Sequence, residues 1–442
     1  MRVMKWSMIA LAVAAAASTQ LATAAPFVSD QAEAKGFVED SSLNLLVRNY
    51  YFNRDRKDGA TDQKDWTQGI WGNYSSGYTQ GLIGVGVDAF GYLAIKLDGT
   101  DDEGGTGNMS RDADGEVNDS QGKAGGAVKV RISKTELKGG DMQPSTAPVF
   151  AVGGSRILPQ TASGFQLQSS EFDNIDLEGG HFYSATSQDR NARNGGLWAT
   201  YAGVEADNID YVGGKWGVTD ALSLSLYGAK LDNIWNQYYA NANYTLALGG
   251  TQSLNFDGNI YNTEDTGDAN AGTISNTTFS VAAAYSFLNA HTLTLAFQKV
   301  NGDTPFDYIG VGKNNRGGDS IFLANSIQYS DFNGPNEKSA QARYDLKMAE
   351  YGVPGLSFMT RYVYGKDIDG TNTPAGSPYA GLYGADGKHH ETNLEVKYVI
   401  QNGPAKDLSF RIRQAWHSAN SDQGEGDINE FRLITDYPLN IL

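Results

Sequence analysis

Two stretches at the end of the chain, KDLSFRIRQAWH and DINEFRLITDYPLNIL, restrict the possible folds more than any other part of it. Successive side chains of a strand point to opposite faces. Phe431, Leu433, Thr435, Tyr437, Leu439 and Ile441 therefore share one face, and Glu430, Arg432, Ile434 and Asp436 the other. The preceding stretch repeats the pattern, with Leu408, Phe410, Ile412 and Trp416 opposed to Arg411, Arg413 and His417. A soluble sandwich would turn the apolar face to its core and the arginines to water. A transmembrane barrel would turn the apolar face to lipid and the arginines into a wet lumen. Both folds share the pattern, so context has to choose.

The N-terminus and the composition supply that context. Arg2 and Lys5, the apolar run MIALAVAAAAS and the small residues Ala22, Thr23 and Ala24 read as a secretory signal peptide over residues 1–24. Cleavage one residue later would leave Pro26 directly after the scissile bond, so Ala25 is the expected mature start and residues 25–442 form the expected β-domain. No other stretch approaches the roughly 18 apolar residues that a membrane helix requires. Cysteine is absent, so an exported chain of this kind has no disulfide framework, which suits a large domain that closes its own edges. The formal net charge of −17 becomes more negative once Arg2 and Lys5 are removed. Phosphate binding needs a basic footprint, so nucleic acid is not an expected partner, whereas cationic solutes would be attracted.

Short alternating segments fill most of the chain. After the linker APFVSDQAEAKGFVED, SSLNLLVRNYYFNR sets Leu43, Leu45, Val47 and Tyr51 against Asn44, Arg48 and Arg54. GGAVKVRISK sets Val128, Val130 and Ile132 against Lys129, Arg131 and Ser133. In between, the Gly/Asp-rich tract from Gly99 to Gly122 has nothing to bury and reads as a long exposed loop. MQPSTAPVFAVGGSRILPQTASGFQLQSSEF shows no sustained alternation, and a loop of about thirty residues is unusual unless functional.

From Phe172 onward strand and turn recur. Tyr238, Ala240, Ala242, Tyr244, Leu246 and Leu248 oppose Tyr239, Asn241 and Asn243, and Leu254, Phe256 and Ile260 oppose Asn255, Asp257 and Asn259. A second irregular piece, VNGDTPFDYIGVGKNNRGGDS, precedes strands that add Arg343, Arg361 and Lys397 to the polar register. Hairpin-sized connections alternate with long ones, and many segments begin or end in Tyr, Trp or Phe, as outer-membrane barrels do. The count is eighteen or nineteen strands, one boundary near Ser75–Tyr78 being open. Bacterial single-chain barrels have even strand numbers, so the expected fold is an all-β, antiparallel transmembrane barrel of eighteen strands. That size leaves a water-filled path unless loops fold in.

The stretches FVSDQAEAKGF, LLVRNYYFNRD, GAVKVRISKT, GGSRILPQTASGFQLQSSEF, PFDYIGVG, GGDSIFLANSIQYSDFNGP, GKHHETNLEVKYV and GPAKDLSFRIRQAWH closely resemble the OprD family of Gram-negative outer-membrane porins, specifically its OccD-type branch. The resemblance spans essentially the whole mature chain. It implies a barrel narrowed by an inward-folded loop, embedded among outer-membrane lipid and lipopolysaccharide, without a cofactor and, by family habit, trimeric. It also implies selective diffusion of small carboxylate-bearing nutrients, chiefly basic amino acids and short peptides, with carbapenems entering by the same route. By matching stretches, the constriction residues implied are Ser155 and Arg156 in GGSRILP, Tyr201 in ATYAG, Tyr308 in PFDYIG, and Asp319, Ser326, Tyr329 and Asp331 in GGDSIFLANSIQYSDF. The implied basic ladder is Arg54, Lys397, Arg411, Arg413 and Arg432, residues that alternation already turns to the lumen, and alternation adds Arg131.

The chemistry fits such a channel. A carboxylate entering a narrow pore loses hydration, and guanidiniums replace the lost contacts with planar, charge-assisted hydrogen bonds without ever deprotonating. Several such sites in series hand a solute on, each contact near 5 Å contributing about 1–3 kcal/mol. Asp319 and Asp331 would take the cationic end of a basic amino acid. The plainer alternatives are wall-stiffening ion pairs for the arginines, loop anchoring for the two aspartates, and packing for Tyr201, Tyr308 and Tyr329 in a chain with 24 tyrosines. A hydrolytic triad of His181, Asp232 and Ser320 lacks a nucleophile-elbow pattern, so no enzyme is expected. His389 and His390 are adjacent and so point to opposite faces, which argues against a metal site made by these two alone. Other readings are a channel for cyclic or aromatic carboxylates and a plugged receptor or adhesin barrel.

Overall fold

The computed structural model describes Pro26–Leu442, so the expected signal peptide lies outside the described residues. Twenty-two strands follow one another: β1 Ser42–Arg56, β2 Gln63–Ser75, β3 Ile83–Asp98, β4 Ser120–Ile132, β5 Thr135–Met142, β6 Thr161–Phe172, β7 Ile175–Thr186, β8 Leu197–Ala199, β9 Val204–Ala206, β10 Ile209–Gly217 and β11 Leu222–Leu231. The second half comprises β12 Trp235–Gly249, β13 Gln252–Asp265, β14 Ser275–Phe287, β15 His291–Asn301, β16 Ile309–Val311, β17 Arg316–Gly317, β18 Lys338–Lys347, β19 Leu356–Ile368, β20 Gly387–Val399, β21 Ser409–Ala419 and β22 Ile428–Asn440. Eighteen of them pair antiparallel with their neighbours in chain order, and β1 pairs with both β2 and β22, which closes the sheet. The four short strands β8, β9, β16 and β17 form a separate small sheet joining two loops inside the barrel.

The boundary left open near Ser75 is the connection 76–82 between β2 and β3, and the even strand number holds. Connections alternate strictly. One rim carries turns such as 133–134, 173–174 and 250–251 together with the start of β1 and the end of β22, and the other carries 99–119, 143–160, 187–208 and 302–337. Short turns on one side and long loops on the other match the two faces of an outer-membrane barrel.

Alternation decides which way each face looks. Leu226 and Leu295 are 67% and 68% exposed, whereas Glu430 and Arg432 are 0% and 3% exposed. Exposed large apolar side chains with buried ions are the reverse of a soluble protein and the arrangement a bilayer requires. Trp66 and Trp416 sit on the outer surface toward the long-loop rim, and Trp216 and Tyr398 toward the short-turn rim, as two aromatic girdles.

Loops supply the buried core. Val149, Phe150 and Val152 of the 143–160 loop pack with Phe182, Tyr211, Tyr227, Tyr239 and Tyr261 of the wall and Phe306 and Ile309 of the 302–337 loop. Two expectations are corrected here. The Gly99–Gly122 tract is not simply an exposed loop: Met109 and Val117 are buried with Tyr50, Phe52, Ile157 and Leu158. Its few apolar residues are too widely spaced to register as a pattern. The stretch from Met142 to Phe172 is not all loop either, because Met142 ends β5 and β6 starts at Thr161, with Phe165 and Leu167 exposed outward and Gln166 buried inward. The expected N-terminal linker docks on the short-turn rim, where Gln31 is buried and donates its backbone N–H to the Ser133 carbonyl at 2.7 Å.

Candidate substrate pathway

Six adjacent strands, β18–β22 and β1, carry the basic wall. Their register lines up lumenal residues in rows that cross the strands: Arg343, Arg361, Asn393, Ala415, Glu430 and Arg54 in one, and Asp345, Met359, Glu395, Arg413, Arg432 and Phe52 in the next. A third row brings Lys397 beside Arg411. Cations outnumber carboxylates in these rows, so the wall stays positive.

The carboxylates present are interleaved with the guanidiniums. Glu395 takes Arg411 at 2.7 Å and Arg413 at 3.3 Å. Arg343 meets Asp345 in two bonds of 2.7 Å each. Glu430 accepts from Arg54 at 2.8 Å and from Arg432 at 2.6 Å. Lys397 has no ion pair among the described residues, and Arg411 Nε is buried without a hydrogen-bond acceptor there. Around the Phe52 ring the guanidinium carbons of Arg54, Arg156 and Arg432 lie 5.3, 5.4 and 5.5 Å from the centroid. A ring with a negative face eases the crowding of three like charges.

Arg156 reaches that cluster from the 143–160 loop, which is held from several sides. The Arg48 guanidinium donates to the carbonyls of Gly154 and Arg156 at 2.9 and 2.8 Å while gripping Asp436 at 2.7 and 3.0 Å. Trp71 Nε1 donates to the Ile157 carbonyl at 2.6 Å, and Arg156 Nε donates to the Thr106 carbonyl at 2.9 Å. Gly69 makes the approach possible, since a Cβ there would lie 2.8 Å from the Ile157 carbonyl oxygen. Ser155 is exposed between these anchors.

Asp331 gathers the expected tyrosines. The hydroxyls of Tyr201, Tyr308 and Ser326 donate to its carboxylate at 2.8, 3.1 and 2.6 Å. Asp319 lies over the tip of the 143–160 loop, with its N–H on the Ala151 carbonyl at 3.0 Å and its carboxylate beside Gly153. Tyr329 belongs to the basic side, its ring 4.9 Å from the Arg54 guanidinium and 4.9 Å from the His417 ring. Arg131 stands apart. It donates to Ser29 and Gln31 and lies 3.9 Å over the Tyr78 ring, at the short-turn rim. Its place in the expected ladder came from alternation, which gives the face but neither the height nor the position round the circumference.

Sequence reasoning passed over several carboxylates that hold the site. Buried Asp307 accepts the N–H groups of Tyr201, Ala202 and Tyr308 at 2.9, 3.1 and 2.8 Å and the Tyr379 hydroxyl at 2.9 Å. Buried Glu391 accepts the N–H groups of Tyr329 and Ser330 at 3.2 and 3.0 Å. Glu391 and Glu430 share the lumenal register with the arginines, and that shared register was the available signal. The drawn triad does not assemble. His181 bonds Asp210 at 2.8 Å, Asp232 accepts from Asn233, and the Ser320 hydroxyl is buried without a partner among the described residues.

A closed barrel with a charged, loop-narrowed lumen can be compared with known proteins. The model of the outer membrane porins of the OprD family matches residues 35–441. The chain belongs to the OprD family. It is 67% identical to Porin D of Pseudomonas aeruginosa across 100% of both chains. The crystal structure of Pseudomonas aeruginosa OprD is 63% identical, with a TM-score of 0.84 over 95% of this chain and 100% of that one. Pseudomonas aeruginosa OpdK, solved with vanillate, is 32% identical, with a TM-score of 0.81 over 92% of this chain and 100% of that one. As an OprD-family porin, the protein is a substrate-specific channel of the outer membrane, and family and fold point to passage of solutes rather than to catalysis.

Proposed function

We propose that this porin lets basic amino acids, short peptides and related carboxylate-bearing solutes, carbapenems among them, diffuse down their gradients. The reading rests on one observation above others: positive rows on β18–β22 and β1 stand in the same lumen as Asp319 and Asp331, which the loops carry. The carboxylate of a zwitterion steps along Lys397, Arg411 and Arg413, with buried Arg432 adding to the positive field, while its cationic end is drawn to the aspartates.

Uptake by liposomes loaded with the purified porin tests this. Arginine should enter faster than benzoate, and Arg411→Gln with Arg413→Gln should slow arginine roughly tenfold, within the range of about 1–3 kcal/mol per charge contact. Benzoate outpacing arginine would favour the rival reading, a channel for aromatic carboxylates, which the vanillate bound to OpdK supports. Absence of any single-channel conductance would favour a plugged barrel.

A further inference from the structure

Near the long-loop rim, on the lumenal side of β20 and β21, three potential metal-ligand atoms converge. His389 Nδ1 and His417 Nε2 are 2.9 Å apart, and Glu425 Oε2 of the 420–427 loop lies 3.8 Å from the first and 3.5 Å from the second. These separations bracket the edge of about 3.4 Å in a tetrahedron drawn with metal–ligand bonds of about 2.0–2.1 Å. The adjacency that set His390 aside does not matter, because the partner of His389 comes from the next strand.

Hydrogen bonding at the far side of each ring fixes which nitrogen is free. His417 Nδ1 faces the Gly426 carbonyl at 3.0 Å, which can only accept, so that nitrogen carries the hydrogen. His389 Nε2 faces Glu337 Oε1 at 2.8 Å, and the other Glu337 oxygen accepts the Gly334 N–H at 2.8 Å, so this nitrogen donates as well. With both rings neutral, the two remaining nitrogens turn lone pairs toward one another and toward a carboxylate oxygen. Two lone pairs at that distance repel unless a cation sits between them, either a proton that makes one N–H···N bond or a metal ion bound by both. A carboxylate or a carbonyl behind each imidazole is also the outer arrangement that orients metal-binding histidines.

The rings are held rigidly. His389 stacks on Phe332 with centroids 4.1 Å apart, and His417 packs against Tyr329. Both imidazoles are wholly buried, whereas the Glu425 side chain is 25% exposed, leaving one side for entry and for a solvent or solute ligand.

We propose that His389, His417 and Glu425 bind one divalent transition-metal ion of the zinc, nickel or copper type, with Glu337 as the residue that positions His389. Two imidazoles and one carboxylate suit that class, whereas calcium and magnesium prefer all-oxygen sites. A bound ion would tie the 420–427 loop to β20 and β21 and, through Glu337, to the end of the loop that carries Asp331.

The test uses the full-length mature porin in detergent, stripped with chelator and titrated with zinc chloride by calorimetry and with cobalt chloride by visible absorption. The expected result is one ion per chain and the intense visible bands of four-coordinate cobalt. His417→Gln and Glu425→Gln should each weaken binding at least tenfold, Glu337→Gln roughly tenfold, and His390→Gln, on the outer face, not at all. Heat-modifiable migration on gels establishes that each variant is folded, and Glu425→Gln, in a loop, serves if His417→Gln fails to fold. No stoichiometric binding, or binding by Glu425→Gln as tight as by His390→Gln, would overturn the proposal.

Discussion

The wall formed by β18–β22 and β1 holds its polar groups as ions, whereas the wall formed by β10–β13 holds them mainly as phenols and amides, its Asp257 accepting from Asn241 and Asn243 at 3.1 and 2.8 Å and not from a cation. On the first, Glu430 is gripped by Arg54 and Arg432. On the second, the Tyr239 hydroxyl donates to Asn259 at 2.6 Å, and Asn243 and Asn255 bond one another at 2.8 Å. Neighbouring β7 supplies a carboxylate that the 143–160 loop touches, Glu178, and it is held by neutral donors, Thr146 at 2.6 Å and Tyr227 at 2.8 Å. Neutral groups that satisfy one another leave their ring faces free to pack, so Phe150 can settle on Phe182 and Tyr211. Guanidiniums would lose hydration under such a cover. The 143–160 loop accordingly buries Val149, Phe150 and Val152 against the neutral wall, while Ile157 and Leu158 meet the ionic wall only at Tyr50, Phe52 and Ile434.

Removing one partner on each wall tests the contrast. Glu430→Gln strands the buried Arg432 guanidinium and the half-buried Arg54 one and should cost about 3–5 kcal/mol in unfolding from lipid vesicles. A loss below about 1 kcal/mol would mean that lumenal water already screens the pair. Tyr201→Phe removes a hydroxyl donated to the Asp331 carboxylate. It should cost about 1.5–3 kcal/mol, read as loosened loops and noisier single-channel current. Tyr239→Phe removes a neutral hydrogen bond and should cost about 0.5–1.5 kcal/mol. If it equals Glu430→Gln, the two walls are energetically alike and the distinction fails.

The smallest effect concerns pH. Burial acts to raise the Asp189 carboxyl, but Arg316, bonded at 2.7 Å, outweighs it and holds the group below the usual carboxylate range. A depressed value means that this link between the 187–208 and 302–337 loops is fully present above the unfolded value of about 3.9 and is lost as pH falls through the lower folded value. Current noise should therefore stay flat from pH 7 to about pH 4 and rise below it, and Arg316→Gln should move the rise to higher pH.

The strands were legible because a bilayer enforces a period of two along the whole length of each one. Arg411, Arg413 and Arg432 face the lumen as alternation requires, and the even strand number followed from closure. Loops obey no such period. Met109 and Val117 bury themselves through contacts far apart in sequence, and nothing local marks them. The expected constriction residues divide for the same reason. Tyr201, Tyr308 and Ser326 meet on Asp331, Tyr329 joins Arg54, and Arg131 lies elsewhere. Glu430 was visible on the polar face, but its value as a counter-ion depended on knowing that β22 lies against β1.

That seam gives the chain an order of events. Arg54 meets Glu430, and Arg48 meets Asp436, only across the junction of the first strand with the last. The contacts that set the charge of the passage are thus also the clasp that shuts the cylinder. A chain halted before its final thirteen-residue strand would carry two raw edges and orphaned arginines at once, with no closed cylinder to serve as a hole in the cell's outer barrier.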